Sequence, residues 1–277
     1  MAKIEYSKEF FNIKDTLLCG QIFRYEKYDN GYRVFSKDKE CFIYEKDDKV
    51  NIESEDIVYF YNFFDLDNDY SKIYNFAKST GVEIIEKSAR LGKGIRILKQ
   101  DILEMTFSFI ISQNNNIPRI KNSINLLCKK FGKLIENKRG AYYSFFSEES
   151  VVDIANTPLK DFGLGYRDSY ITNLANKIVN GYNLYSLEQL SRQEIYNSLL
   201  QNKGIGDKVA NCILLFGYNK TNSFPVDTWI EKVYKENMLG TLSDRKKISE
   251  YFTNYFGEYA GYIQQYLFYY KRSLENK

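Results

Sequence analysis

Two side chains in this chain are of types and at a spacing that suggest chemistry. Lys208 lies just after the glycines of Gly204-Ile205-Gly206-Asp207, and Asp227 follows nineteen residues later, at the end of Phe224-Pro225-Val226. Two closely spaced glycines suit a tight hairpin between helices, since glycine adopts positive φ and lets another backbone approach. The N–H groups that open the second helix then face outward at its positive end, where an anion such as a phosphate is favoured. An amine there serves as a phosphate contact or as a nucleophile. The nucleophilic role requires it to lose its proton near neutral pH, through desolvation, the helix terminus or a nearby cation. Each feature also has a purely structural reading. The glycines make an αα-hairpin, a lysine sits in solvent, and an aspartate after a proline caps a helix. Together they point to chemistry on a phosphate-bearing substrate.

Composition removes most competing chemistries. The 277 residues include no histidine, which excludes Ser–His and Cys–His nucleophilic pairs and imidazole metal sites. Cys19, Cys41, Cys128 and Cys212 are scattered without CxxC spacing, so no iron–sulfur centre is expected and buried reduced thiols are. No cofactor or metal ligand set is expected, apart from room for a monovalent cation at the hairpin. No apolar run of about 18 residues exists, and the N-terminus lacks a secretory apolar segment. We therefore expect an intracellular protein, in cytoplasm or nucleoid if prokaryotic, with no membrane partner. A net charge of +3 and a pI near 8.4 permit a nucleic-acid partner without arguing for one.

The pattern of residues that must position these groups changes along the chain. Between Gln21 and about Glu53, β-prone runs (Gln21–Tyr28, Tyr32–Ser36, Cys41–Tyr44, Val50–Ile52) alternate with turn sequences such as Asp29-Asn30-Gly31, predicting an antiparallel meander. Helical spacing follows in Ser71–Ser79, Val82–Leu91, a helix capped by Asp101, Ile117–Phe131, Leu159–Phe162, Ser169–Asn180, Ser186–Gln189 and Arg192–Leu200. It continues in Lys208–Phe216, Thr228–Met238, Asp244–Phe256 and Ala260–Ser273, with almost no strand signal after about residue 65. The expected class is α+β: an N-terminal antiparallel sheet domain with flanking helices over 1–95, packed on a multi-helix domain over 96–277. The helix–hairpin–helix unit falls at about 192–217.

The segment Gly204-Ile-Gly-Asp-Lys208-Val-Ala…Pro225-Val-Asp227 resembles the helix–hairpin–helix and Gly/Pro…Asp signature of the base-excision DNA glycosylase superfamily. Within it, the chain looks like an 8-oxoguanine DNA glycosylase. Cys19-Gly20-Gln21-Ile-Phe-Arg24, Ser108–Ile120 with Asn114-Asn-Asn and Arg119, Phe162-Gly-Leu-Gly-Tyr166-Arg167 and Tyr259-Ala-Gly-Tyr-Ile-Gln264-Gln-Tyr-Leu-Phe268 are similar to four further family segments, in order. The matches run from residue 19 to 268.

The resemblance implies a role at each matched position. Lys208 would attack C1′ of the damaged nucleotide and then cleave the strand by β-elimination through a Schiff base. Asp227 would stabilise positive charge developing on the sugar. Gly20 would accept a hydrogen bond from the N7–H that distinguishes 8-oxoguanine from guanine. Cys212 and Phe268 would sandwich the extruded base, Gln264 would bond its Watson–Crick edge, and Phe216 would line the pocket. Asn114, Arg119 and Arg167 would hold the opposite cytosine with Tyr166 wedged into the stack, while Gly204, Gly206 and Val209 would meet the backbone. The implied partner is duplex DNA containing 8-oxoguanine, bound by a monomer.

Three positions depart from the family pattern. Trp229 stands where a phosphate-contacting histidine is common, Phe216 where a methionine is frequent, and Pro118 lies inside the asparagine segment. Two alternatives stay open on the residues alone: a non-catalytic helix–hairpin–helix DNA-binding module, and a related glycosylase for another damaged base. An unrelated small-molecule enzyme has no cofactor motif to support it.

Overall fold

A computed structural model describes residues 1–275 of the chain. The N-terminal strands are β1 (Ala2–Ser7), β2 (Tyr25–Tyr28), β3 (Gly31–Ser36), β4 (Lys39–Lys46) and β5 (Lys49–Ser54). They form one antiparallel sheet in the order β1-β5-β4-β3-β2. Asp29, Lys37 and Asp47 take positive φ in the three two-residue loops that pair Tyr28 with Gly31, Ser36 with Lys39 and Lys46 with Lys49. Such short loops need that backbone hand to match the twist of the strands. Val34, Cys41, Ile43, Val50 and Ile52 line one face of the sheet. They are buried against Phe11, Ile13 and Leu17 around α1 (Ile13–Leu18) and against Phe60 and Phe63 of α2 (Ile57–Phe63).

The remaining helices are α3 (Tyr70–Ser79), α4 (Glu83–Leu91), α5 (Ile102–Ser112), α6 (Ile117–Phe131), α7 (Val151–Asn156), α8 (Asp168–Val179), α9 (Arg192–Leu200), α10 (Asp207–Phe216), α11 (Thr228–Lys232), α12 (Arg245–Phe256) and α13 (Ala260–Glu275). Every residue of α5 from Ile102 to Ile111 is buried, as expected of a central helix. It packs against α6, α8 and α10. None of the helices among the described residues is long and apolar enough to cross a membrane.

The two apolar clusters meet along the extended segment 95–98. Ile95 and Ile97 face the helical cluster and Leu98 the sheet cluster. Between them Arg96 is fully buried. Its guanidinium donates to the carbonyls of Phe64 (2.7 Å), Phe10 (3.3 Å), Asn68 (3.4 Å) and Asp65, and lies 4.0 Å from the centre of the Tyr70 ring. A planar cation with five fixed donors can satisfy several buried carbonyls at once.

The structure differs from the sequence expectation in several places, among them the unexpected helix α7 and the 3-10 turns that stand for the expected helices at Leu159–Phe162 and Ser186–Gln189. Gln21–Arg24 is buried but forms no strand, because its polar groups bond to side chains and loops instead. The edge strand β1, with mostly exposed side chains, and the short helices α1 and α2 carry too little periodicity to be read. A hairpin of β6 (Leu134–Asn137) and β7 (Gly140–Tyr143) breaks the helical run. It lies against β3, with the Tyr142 and Phe35 rings 5.0 Å apart. Finally, the Thr228–Met238 helix loosens at Val233 into one π-helical turn.

Arg96→Leu would leave the buried Phe64 carbonyl and the half-buried carbonyls of Phe10 and Asn68 without a donor, the Asp65 carbonyl keeping the Asn68 N–H, and an unserved buried carbonyl costs ~1–3 kcal/mol. We expect a stability loss above ~3 kcal/mol in denaturant titration. An unchanged midpoint would contradict this role for Arg96.

Candidate active site

Helix α9 opens with a reciprocal capping box, in which Ser191 and Glu194 bond each other's backbone N–H. The chain then turns through Asn202–Ile205, closed by a bond from the Ile205 N–H to the Asn202 carbonyl (3.0 Å). Gly204 has φ +88°, and a Cβ there would stand 2.4–2.9 Å from atoms of the Tyr170 side chain. Gly206 behaves differently from expectation. Its φ is −97°, and it serves as the N-cap of α10 without a capping side chain. The N–H groups of the first turn of α10 are therefore open at its positive end.

Lys208 sits in that turn, with its Nζ 5.6 Å from the centre of the Phe109 ring. Phe109 in turn stacks on Phe216 at 5.5 Å and 14°. One turn below Lys208 is Cys212, whose thiol is pushed up by burial against the opposing pull of the Lys208 ammonium. It presents a neutral sulfur at pH 7. Asp227 caps α11, its Oδ1 accepting from the N–H of Trp229 (3.0 Å) and of Ile230 (2.9 Å). No donor among the described residues reaches its Oδ2.

Two cavities meet at this pair. An open groove of about 830 Å³ runs between the Asn114 and Tyr166 wall and the Trp229 and Arg245 wall, over Gly206, Lys208, Val209 and Asp227. A smaller pocket of about 40 Å³ is lined by Gly20, Phe109, Cys212, Phe216, Gln264 and Phe268, and again by Lys208 and Asp227. Lys208 and Asp227 thus form the threshold between groove and pocket. That volume corresponds to a few waters. A third cavity, of about 340 Å³, is lined by Lys37, Asp101 and Tyr185 at the opposite end of α5 and shares no residue with the first two.

Inside the pocket two acceptors lack partners. Gln264 is 5% exposed and its Oε1 has no hydrogen-bond partner. Gly20, at φ +92°, has a carbonyl that no donor among the described residues reaches. Buried unpaired acceptors are costly unless something else supplies the donor.

The structure brings the groove and pocket residues together from distant parts of the sequence. Residues 3–106 match the family model described as 8-oxoguanine DNA glycosylase, N-terminal domain. Residues 107–257 match the HhH-GPD superfamily of base excision DNA repair proteins. The chain belongs to the 8-oxoguanine DNA glycosylase branch of the HhH-GPD superfamily. It is 32% identical over 192 residues to the N-glycosylase/DNA lyase of Arabidopsis thaliana, a match covering 65% of this chain and 53% of that relative. A probable N-glycosylase/DNA lyase of Methanothermobacter thermautotrophicus is 28% identical over 74% of this chain and 71% of its own length. The 8-oxoguanine glycosylase/lyase of Clostridium acetobutylicum, solved with duplex DNA containing cytosine opposite 8-oxoguanine, superposes with a TM-score of 0.89 at 34% identity. That superposition covers 99% of both chains.

Not every expected contact residue lies in the groove. Asn114, at positive φ, and Arg119 are exposed, and Tyr166 is 51% exposed at the groove wall. Arg119 and Gly204 line neither the groove nor the pocket. Arg167 is only 4% exposed, and its guanidinium donates to the carbonyls of Leu164 (3.1 Å), Asn114 (2.8 Å) and Gln113. Here it holds the asparagine loop from beneath instead of facing the groove. Trp229 lines the groove, with the Lys232 Nζ 5.3 Å from its ring centre. Pro118 fits in the first turn of α6, where its missing N–H costs nothing.

Sequence reasoning missed Phe109 and Arg245. Phe109 sits in a helix buried all round, so nothing in its pattern marked the pocket. Arg245 is one of several basic residues beside the Asp244 cap, and only the packing of α12 brings it to the groove. Among the described residues no cluster of three or more His, Cys, Asp or Glu side chains could hold a metal.

The two hairpin glycines should respond differently to alanine. Gly204→Ala meets Tyr170 and keeps a strained φ, so thermal unfolding should show a loss of ~1–3 kcal/mol. Gly206→Ala, with nothing within 4 Å, should cost less than ~1 kcal/mol. Equal losses would contradict this assignment of the turn.

Proposed function

We propose that this chain is a bifunctional DNA repair enzyme that excises 8-oxoguanine opposite cytosine and then cleaves the strand at the resulting abasic site. The observation that carries this reading is the threshold position of Lys208 and Asp227, which border both the groove and the smaller pocket. A duplex in the groove leaves the target sugar beside the amine once the nucleotide is turned out, as chemistry at C1′ requires. The unprotonated Lys208 amine forms a bond to C1′ as the bond from C1′ to N9 breaks, and the base leaves with the bonding pair, to be neutralised by the proton that the alkylated nitrogen then gives up. Asp227 offsets the positive charge that develops on the sugar, through the carboxylate oxygen its capping bonds leave unused. Loss of a proton and ring opening give a Schiff base. Removal of a C2′ proton then expels the 3′-phosphate by β-elimination.

Recognition follows from the pocket's two unpartnered acceptors. The Gly20 carbonyl accepts from N7–H, a donor that 8-oxoguanine has and guanine lacks. The Gln264 Oε1 accepts from a donor on the Watson–Crick edge. Cys212 and Phe268 stack on the two faces of the base. Asn114 and Arg119 read the cytosine left behind, with Tyr166 filling the gap and Arg167 bracing the loop. The uncapped first turn of α10, with Gly206 and Val209, receives a backbone phosphate.

Borohydride added during reaction with 8-oxoguanine duplex should yield a covalent protein–DNA adduct, absent in Lys208→Gln. An adduct that persists at the wild-type level in that variant would refute the role of Lys208. A second comparison tests opposite-base reading. Single-turnover excision should be faster opposite cytosine than opposite adenine, by roughly tenfold or more if one good base contact is at stake. Equal rates would remove Asn114 and Arg119 from that role.

A further inference from the structure

The loop that carries Gly20 is tied down carbonyl by carbonyl. The Leu18 carbonyl accepts from Arg272 Nη1 at 3.2 Å, the Cys19 carbonyl from Gln265 Nε2 at 3.2 Å, and the Gln21 carbonyl from Gln100 Nε2 at 2.8 Å. Gln21 itself is 0% exposed. Its amide donates to the carbonyls of Thr16 (3.0 Å) and Arg96 (2.7 Å) and accepts from the Leu98 N–H (2.9 Å). Gln100 also joins the loop to the nucleophile's helix, because its backbone N–H donates to the Phe216 carbonyl at 3.0 Å. Of the four successive carbonyls from Leu18 to Gln21, only that of Gly20 has no donor among the described residues.

We infer that Gln100, Gln265 and Arg272 are positioning residues for damage discrimination, holding the peptide planes on either side of Gly20 so that its carbonyl alone faces the base. This deepens the proposed reading of 8-oxoguanine and rests on it. A glycine at φ +92° has no Cβ to resist rotation of the peptide that follows it. Flipping that peptide would turn the Gly20 carbonyl away and present the Gln21 N–H in its place. An N–H donor pairs with the bare N7 lone pair of ordinary guanine and opposes the N7–H of the lesion. The clamps on the neighbouring planes prevent that exchange. They come from outside the loop, Gln265 and Arg272 from α13 and Gln100 from the segment leading into α5, so the selectivity of one carbonyl is held by tertiary contacts.

The test compares wild type with Gln265→Met, Gln100→Met, Arg272→Met and Arg272→Lys on three duplexes: 8-oxoguanine, undamaged guanine, and a preformed abasic site. Strand cleavage at the abasic site needs Lys208 and the groove but no base reading, so it also reports whether each variant is folded. Arg272 is half-exposed, so its variants keep the comparison available where a buried glutamine variant fails to fold. We expect the methionine variants to lose roughly tenfold in 8-oxoguanine excision and in their binding preference for lesion over guanine DNA, with abasic cleavage within about twofold of wild type. Arg272→Lys, which keeps a donor, should retain most of the preference. Variants that keep full preference, or that lose excision and abasic cleavage in parallel, overturn the inference. A wild-type protein inert on 8-oxoguanine but active on abasic DNA would instead refute the substrate reading, and the inference with it.

Discussion

The burial of one arginine cation between two apolar clusters is the constraint on which the rest of the molecule depends. Arg96 lies where the chain crosses from the sheet to the helices, and its guanidinium serves carbonyls from the Phe10 turn and from the end of α2. Phe64 and Asp65 are buried, and of these carbonyls only that of Asp65 has a further backbone donor among the described residues, the Asn68 N–H at 3.2 Å. The backbone of Arg96 bonds to Thr16 and, through its carbonyl, to Gln21. The cation therefore fixes the crossing segment, and the crossing segment fixes the loop bearing Gly20. Apolar packing alone, being non-directional, would bury the same surface without setting that register.

From this frame the site follows as a matter of which helix ends meet. Helix α5, buried on all sides, runs from its Asp101 cap to the asparagine loop at the groove, and α10 packs along it. That packing brings Phe109 beneath Lys208 and aligns Cys212 and Phe216 with the pocket. Asp227 has two uses at once. One oxygen caps α11, and the same bonds hold its other oxygen toward the threshold. A side chain committed to a cap has little freedom left to lose, which suits a carboxylate that must wait in place for a developing charge.

The pocket is lined by two residues, Gly20 and Gln264, whose carbonyl oxygens have no hydrogen-bond donor among the described residues. A buried acceptor that nothing in the protein serves is a liability in the free state and an asset when the right donor arrives. Because the penalty is similar in size to the gain, ligands with and without the matching hydrogen are separated by that bond.

Much of the candidate site was written locally in the sequence. The glycine hairpin, the lysine after it, the aspartate after Pro225-Val226 and the absence of histidine pointed to an amine and a carboxylate beside a phosphate-bearing substrate, because turns, caps and side-chain inventory depend only on near neighbours. The strands β3, β4 and β5 and most of the helices were legible for the same reason, through period-two and period-3.6 patterns. The edge strand β1, the hairpin β6–β7 and the non-strand course of Gln21–Arg24 were not, because their partners lie far along the chain. Only the tertiary structure put Lys208 and Asp227 at a threshold, turned Arg167 inward beneath the asparagine loop, and left the Gly20 carbonyl free while serving its neighbours. These depend on which groups at long separation find each other as water is excluded, and no local pattern encodes that outcome.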